Sequence, residues 1–90
     1  MQSLSAEIER TDPATRTAYE VELRRVMEAV AAGLVNGTEA ERRARAWVML
    51  SLLVGGATLA RAVPGEETSE QIAEAVQRAV LGLAEGKSGE

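Results

Sequence analysis

The sequence predicts an all-α fold, a three-helix antiparallel domain. Two observations carry that prediction. Sixteen alanines among many Glu, Arg, Leu and Val, with only two prolines, favour helix by propensity. Three stretches each place apolar residues on a 3.6-residue period between recognisable start and stop signals. No stretch alternates on the period of two that a strand requires.

Within the lead-in of residues 1–10, residues 3–10 allow one or two helical turns, with Leu4 and Ile8 four apart on one face. So short a segment is marginal in water without docking, so it is expected to be a flexible lead-in. The domain proper is expected to span residues 11–85. At Asp12-Pro13 a helix start is encoded, because an Asp side chain accepts from the first free N–H groups and proline tolerates the first helical position. Helix one then carries Tyr19, Leu23, Val26, Met27, Val30 and Leu34 as one stripe, opposite Glu20, Glu22, Arg24, Arg25 and Glu28. Asn36-Gly37 is the expected stop, since glycine readily takes the left-handed conformation. Thr38-Glu39-Ala40-Glu41 reads as a capping box opening helix two, and Pro64-Gly65 closes it. Thr68-Ser69-Glu70-Gln71 is read as a second capping signal, opening helix three with the stripe Ile72, Ala73, Val76, Val80 and Leu83. Gly86 is the stop. Residues 86–90 are small and polar and are expected to be a disordered tail.

Composition bounds the function. Ninety residues suffice for one hydrophobic core and not two. The chain has no His and no Cys, which removes the usual general base near neutral pH, the thiolate nucleophile and the best transition-metal ligands. Thr38, Thr68, Ser69 and Ser51 therefore have no imidazole to activate them. Glu39, Glu41, Glu66, Glu67, Glu70 and Glu74 are read as capping and solubilising residues rather than a metal or acid-base site. No enzymatic activity and no cofactor is expected. The formal charge is -4, and the nine arginines and one lysine are scattered among acids. With Trp47 and Tyr19 as the sole aromatics, the chain offers neither a basic stripe nor a stacking platform for nucleic acid. The absence of cysteine and of a basic-then-apolar leader fits a cytoplasmic location.

Helix two is the informative element. Fifteen residues from Ala46 to Ala60 carry no charge, and apolar side chains occupy much of the helix circumference. The run spans about 22 Å at the helical rise, short of the ~30 Å of a bilayer core, so a buried helix is expected and not a membrane span. Ser51, Gly55, Thr58 and Ala62 form a stripe of small residues along which another helix could approach closely. Gly55-Gly56 marks either such a crossing or a kink. Helices one and three offer one apolar stripe each and cannot cover helix two all round. The simplest cover is a second copy, so a homodimer is expected in which helices two and three form an intermolecular four-helix bundle. Its interface is expected at Ser51, Leu52, Gly55, Gly56, Leu59, Ala62, Ile72, Val76 and Val80. Tyr19, Met27 and Trp47 are read first as core residues. In the alternative reading, the chain is an effector-binding module and these three contact an apolar small molecule. Arg61 is expected either to pair with Glu66, Glu67 or Glu70 or to stand solvated at the helix C-terminus.

The segment Ser51-Leu52-Leu53-Val54-Gly55-Gly56-Ala57-Thr58-Leu59-Ala60-Arg61-Ala62-Val63, followed by a Pro-Gly-acidic turn and Ser69-Glu70-Gln71-Ile72-Ala73-Glu74-Ala75-Val76, resembles the C-terminal end of TetR-type transcriptional regulators. From about Thr11 onward the three helices are similar to the long helix and terminal helix pair of that family. The resemblance implies a dimerisation and regulatory domain of a bacterial, cytoplasmic repressor, with helices two and three as the dimerising pair. It also implies a DNA-binding helix-turn-helix that this sequence does not contain. On that basis the chain is expected to be a C-terminal fragment, a separately expressed domain or a truncated reading frame.

Overall fold

The computed structural model describes residues 12–86, which form α1 (Pro13–Ala32), α2 (Glu39–Ala62) and α3 (Glu66–Ala84). The chain is all-α across these residues. The expected lead-in 1–10 and all but Gly86 of the expected tail lie outside them.

Local chemistry explains the helix starts. The Thr15 N–H donates to Asp12 Oδ1 at 2.8 Å, and Pro13 occupies the first turn. This bond to the Thr15 backbone, with help from its side chain, holds the Asp12 carboxyl below its ordinary pKa. The capping box of α2 is complete: the Glu41 N–H donates to Thr38 Oγ1 at 3.1 Å and the Thr38 N–H donates to Glu41 Oε1 at 2.7 Å. Replacing Thr38 by alanine is expected to cost about 1 kcal/mol, measurable as a lowered urea midpoint at unchanged slope.

Two boundaries differ from the sequence reading. α1 stops at Ala32 with Gly33 as its cap, four residues before Asn36-Gly37. Asn36 (φ 69°) and Gly37 (φ 86°) instead make a left-handed pair that turns the chain into α2. α3 starts at Glu66, before Thr68-Ser69, with Gly65 as N-cap and no side-chain cap. The expected capping quartet therefore lies inside the helix, where the Ser69 hydroxyl donates to the Ala60 carbonyl at 3.1 Å and ties α3 to the end of α2. Glu66 and Glu67 favour the first turn through the helix dipole.

α2 is the central element: α1 and α3 each pack on it and not on each other. The contacts Arg45 with Leu83, Gly56 with Val76 and Ala60 with Ser69 run in opposite order along α2 and α3, which makes the pair antiparallel. The core is small. Met27, Ala31 and Ala46 form its buried cluster, with Val30, Leu34, Trp47 and Leu50 packed around it, and Met49 is also buried on α2. Val26, expected inside, is exposed, because it lies at the edge of the α1 stripe, about 100° from Met27.

The helices lie in one layer. The extents are 40 × 37 × 16 Å and the radius of gyration is 14.8 Å, against about 12 Å for a compact chain of this length. Every residue from Asp12 to Glu22 is exposed, so the first half of α1 stands away from the other helices. The same divergence shows on α2. Ala46, Trp47 and Leu50 lie under α1, whereas Leu53, Val54 and Ala57, seven residues further along the same faces, are exposed.

Candidate association surface

From Ser51 onward, beyond the residues that lie under α1, the charge-free stretch of α2 is covered on one side only. Leu52, Gly56 and Ala60 turn toward α3, and the closest approach is at Gly56, where a β-carbon would lie 2.6 Å from Val76 Cγ2. That glycine therefore serves a crossing within the chain, and α2 runs through it without a break. Its neighbour differs. A β-carbon on Gly55 would meet nothing within 4 Å.

Around Gly55, the residues Ala44, Val48, Ser51, Leu59 and Ala62 are all exposed, with Leu59 at 55% and Val48 at 47%. Their spacing of four, three, four, four and three residues keeps them on one side of the helix. The hydroxyls along this side are already satisfied: Ser51 donates to the Trp47 carbonyl at 2.9 Å and Thr58 to the Val54 carbonyl at 3.0 Å. Such bonds to the preceding turn leave a surface with little polar demand on whatever meets it. Leu53 and Val54 widen the apolar area on the side that α1 leaves open.

Of the residues expected at a subunit interface, Ser51, Gly55, Leu59 and Ala62 are exposed along this side of α2. Gly56 is buried within the chain, while Leu52, Ile72, Val76 and Val80 are half-buried between α2 and α3. None of the α3 stripe is fully buried. Of the three candidate effector contacts, Met27 and Trp47 come together in the core cluster. Tyr19 does not join them, being 36% exposed on the free half of α1. The cleft of about 200 Å³ bounded by Glu28, Ala31, Ala32, Glu39, Arg42 and Arg43 touches none of the three.

Charged residues hold the opposite end. Arg43 bridges α1 and α2 through Glu28 at 3.2 Å and also meets Glu39 at 2.9 Å. Its bond to Glu28 and the charges of Glu28 and Glu39 raise the guanidinium pKa above its ordinary value. Arg45, which the sequence offered only as one of nine scattered arginines, is half-buried and donates to three carbonyls. Its signal was its position: Arg42 and Arg45 are three apart, hence on one helix face, just after the loop they bind. Arg61 makes no ion pair with Glu66, Glu67 or Glu70 and stands exposed in the last turn of α2.

Among the described residues no group of acidic side chains is placed to hold a metal ion. No described helix is long and apolar enough to cross a membrane. No protein-family model, curated protein or solved structure matches the chain.

Proposed function

We propose that this chain is a dimerisation module, in which two copies pair through the uncovered side of α2 together with α3 to make an intermolecular four-helix bundle. The observation that carries the proposal is the charge-free stretch of α2 from Ser51 onward, which among the described residues has α3 against one side and nothing against the other. Domains bury their cores between two layers, and a slab 16 Å thick is one layer. A second copy supplies the other. An uncharged surface of small and aliphatic residues calls for a partner surface of the same kind, and a two-fold pairing provides it because both partners present the same patch.

The TetR-like string from Ser51 to Val63 extends this reading to a regulatory role. The module would be the C-terminal dimerisation and regulatory domain of a TetR-type transcriptional repressor acting in the bacterial cytoplasm. It performs no chemistry itself, and DNA is contacted by a helix-turn-helix outside this sequence.

Sedimentation equilibrium at micromolar concentration tests the pairing. The expected mass is twice the 9.6 kDa of the chain. Gly55→Leu, which places a bulky side chain where the chain itself leaves open space, should shift the equilibrium to monomer. A well-folded monomer for the unsubstituted chain, or an undisturbed dimer for Gly55→Leu, overturns the proposed interface.

A further inference from the structure

We infer that Arg45 is a latch that sets the angle between α1 and the α2–α3 hairpin, so that releasing it frees α1 as a hinged arm while the hairpin persists. The guanidinium joins all three helices at one end of the molecule. Its Nη2 donates to the Val35 carbonyl at 2.8 Å and its Nη1 to the Asn36 carbonyl at 2.8 Å, both in the loop that follows α1. Its Nε donates to the Leu83 carbonyl at 3.1 Å, in the last turn of α3. Arg42 adds a bond from Nη1 to the Gly37 carbonyl at 2.6 Å, so three successive loop carbonyls are held by two arginines of α2.

The electrostatics favour this position. The C-terminal end of α3 and the loop that leaves α1 converge here, and a cation among their carbonyls is favoured by the negative end of the α3 dipole. Arginine suits the role because its donors are fixed in one plane. The left-handed pair Asn36-Gly37 turns the loop back over α2. Gly86 packs beside it, so closely that a β-carbon on Gly86 would lie 3.3 Å from Asn36 Nδ2.

What makes this a latch is the lack of any other fixed connection among the described residues. α1 and α3 do not pack on each other. α1 is held to α2 by the Met27–Ala31–Ala46 cluster and the exposed Glu28–Arg43 pair. Met27 is the one large side chain fully buried at this crossing among the described residues, so few interlocking ridges fix its angle. An exposed ion pair adds little orientation. Among the described residues, Arg45 and Arg42 supply side-chain bonds to the loop after α1, and of the two Arg45 reaches α3 as well.

Pulsed electron-electron spin resonance on the full chain tests this, since a chain without cysteine accepts labels cleanly. One pair, Thr17→Cys with Gln77→Cys, reports α1 against α3. A second pair, Arg61→Cys with Gln77→Cys, reports the α2–α3 hairpin. Labelled chains are diluted in excess unlabelled chain so that distances within one chain dominate. Arg45→Met, which keeps the aliphatic stem and removes the donors, is expected to abolish the single narrow α1–α3 distance and leave the hairpin distance unchanged. Arg45→Lys, which keeps the charge and loses the planar fork, is expected to broaden the first distance less. An α1–α3 distribution as narrow in Arg45→Met as in the parent overturns the inference. So does equal broadening of both pairs. If Arg45→Met does not fold, Arg45→Lys decides by the same two criteria, and unfolding of both variants overturns the latch in favour of a purely stabilising role.

Discussion

Replacing Met27 by alanine is expected to lower the unfolding free energy by about 2–5 kcal/mol, the range for truncating a buried Met, Leu or Ile. Met27 is the one large side chain that is fully buried among the described residues, at 0% exposure. It lies where α1 crosses α2, against Ala31 and Ala46, and two alanines cannot collapse far into the space it would vacate. A small domain has only about 5–15 kcal/mol in hand, so the variant should show a much lower urea midpoint and exchange its α1 amides rapidly. Met27→Leu, close in volume, is expected to cost less than about 1.5 kcal/mol. Because association adds concentration-dependent stability, parent and variant must be compared at one protein concentration. A loss below about 1 kcal/mol for the alanine variant would show that the α1–α2 crossing does not depend on this side chain.

Alanine at the two adjacent glycines is expected to act in opposite directions within a single chain. At Gly56 the new β-carbon would stand 2.6 Å from Val76 Cγ2 and 3.3 Å from both Val76 Cβ and Cγ1. Valine is stiff at χ1 and cannot turn aside, so α2 and α3 must separate. The cost of overpacking, about 1–3 kcal/mol, outweighs the gain of about 1 kcal/mol from replacing a mid-helix glycine. Val76→Ala should recover much of that loss, which a double-mutant cycle would measure. At Gly55 nothing in the chain opposes a methyl group, and the propensity gain stands alone. Any loss of stability in Gly55→Ala must therefore come from another molecule and must grow as protein concentration rises. Loss that is independent of concentration would place the obstruction inside the chain.

Helix identity was legible because its causes are local. Asp12-Pro13 and the Thr38/Glu41 box act over three or four residues, and both operate as the sequence implies. The shortage of cover for α2 was legible too, from the charge-free run between Arg45 and Arg61. The start of α3 was not, because Thr68-Ser69-Glu70-Gln71 resembles a capping signal yet lies inside the helix, where Ser69 spends its hydroxyl on Ala60, a partner in another helix. Tyr19 was placed on the α1 stripe by periodicity. Its exposure follows from the divergence of α1, which no repeat in the sequence records.

Three helices, the N-caps of the first two and an apolar surplus on the middle one were readable from the amino-acid sequence, because hydrogen bonds within a turn and the 3.6-residue repeat depend on neighbours in the chain. The tertiary structure decided which surplus remains uncovered. It assigned the close crossing to Gly56 and left Gly55 open, and it gathered the loop after α1 and the end of α3 onto Arg45. Those outcomes depend on the angles at which helices cross. Crossing angles arise from side-chain ridges meeting across space, a relation between residues far apart in the chain that composition and periodicity do not encode.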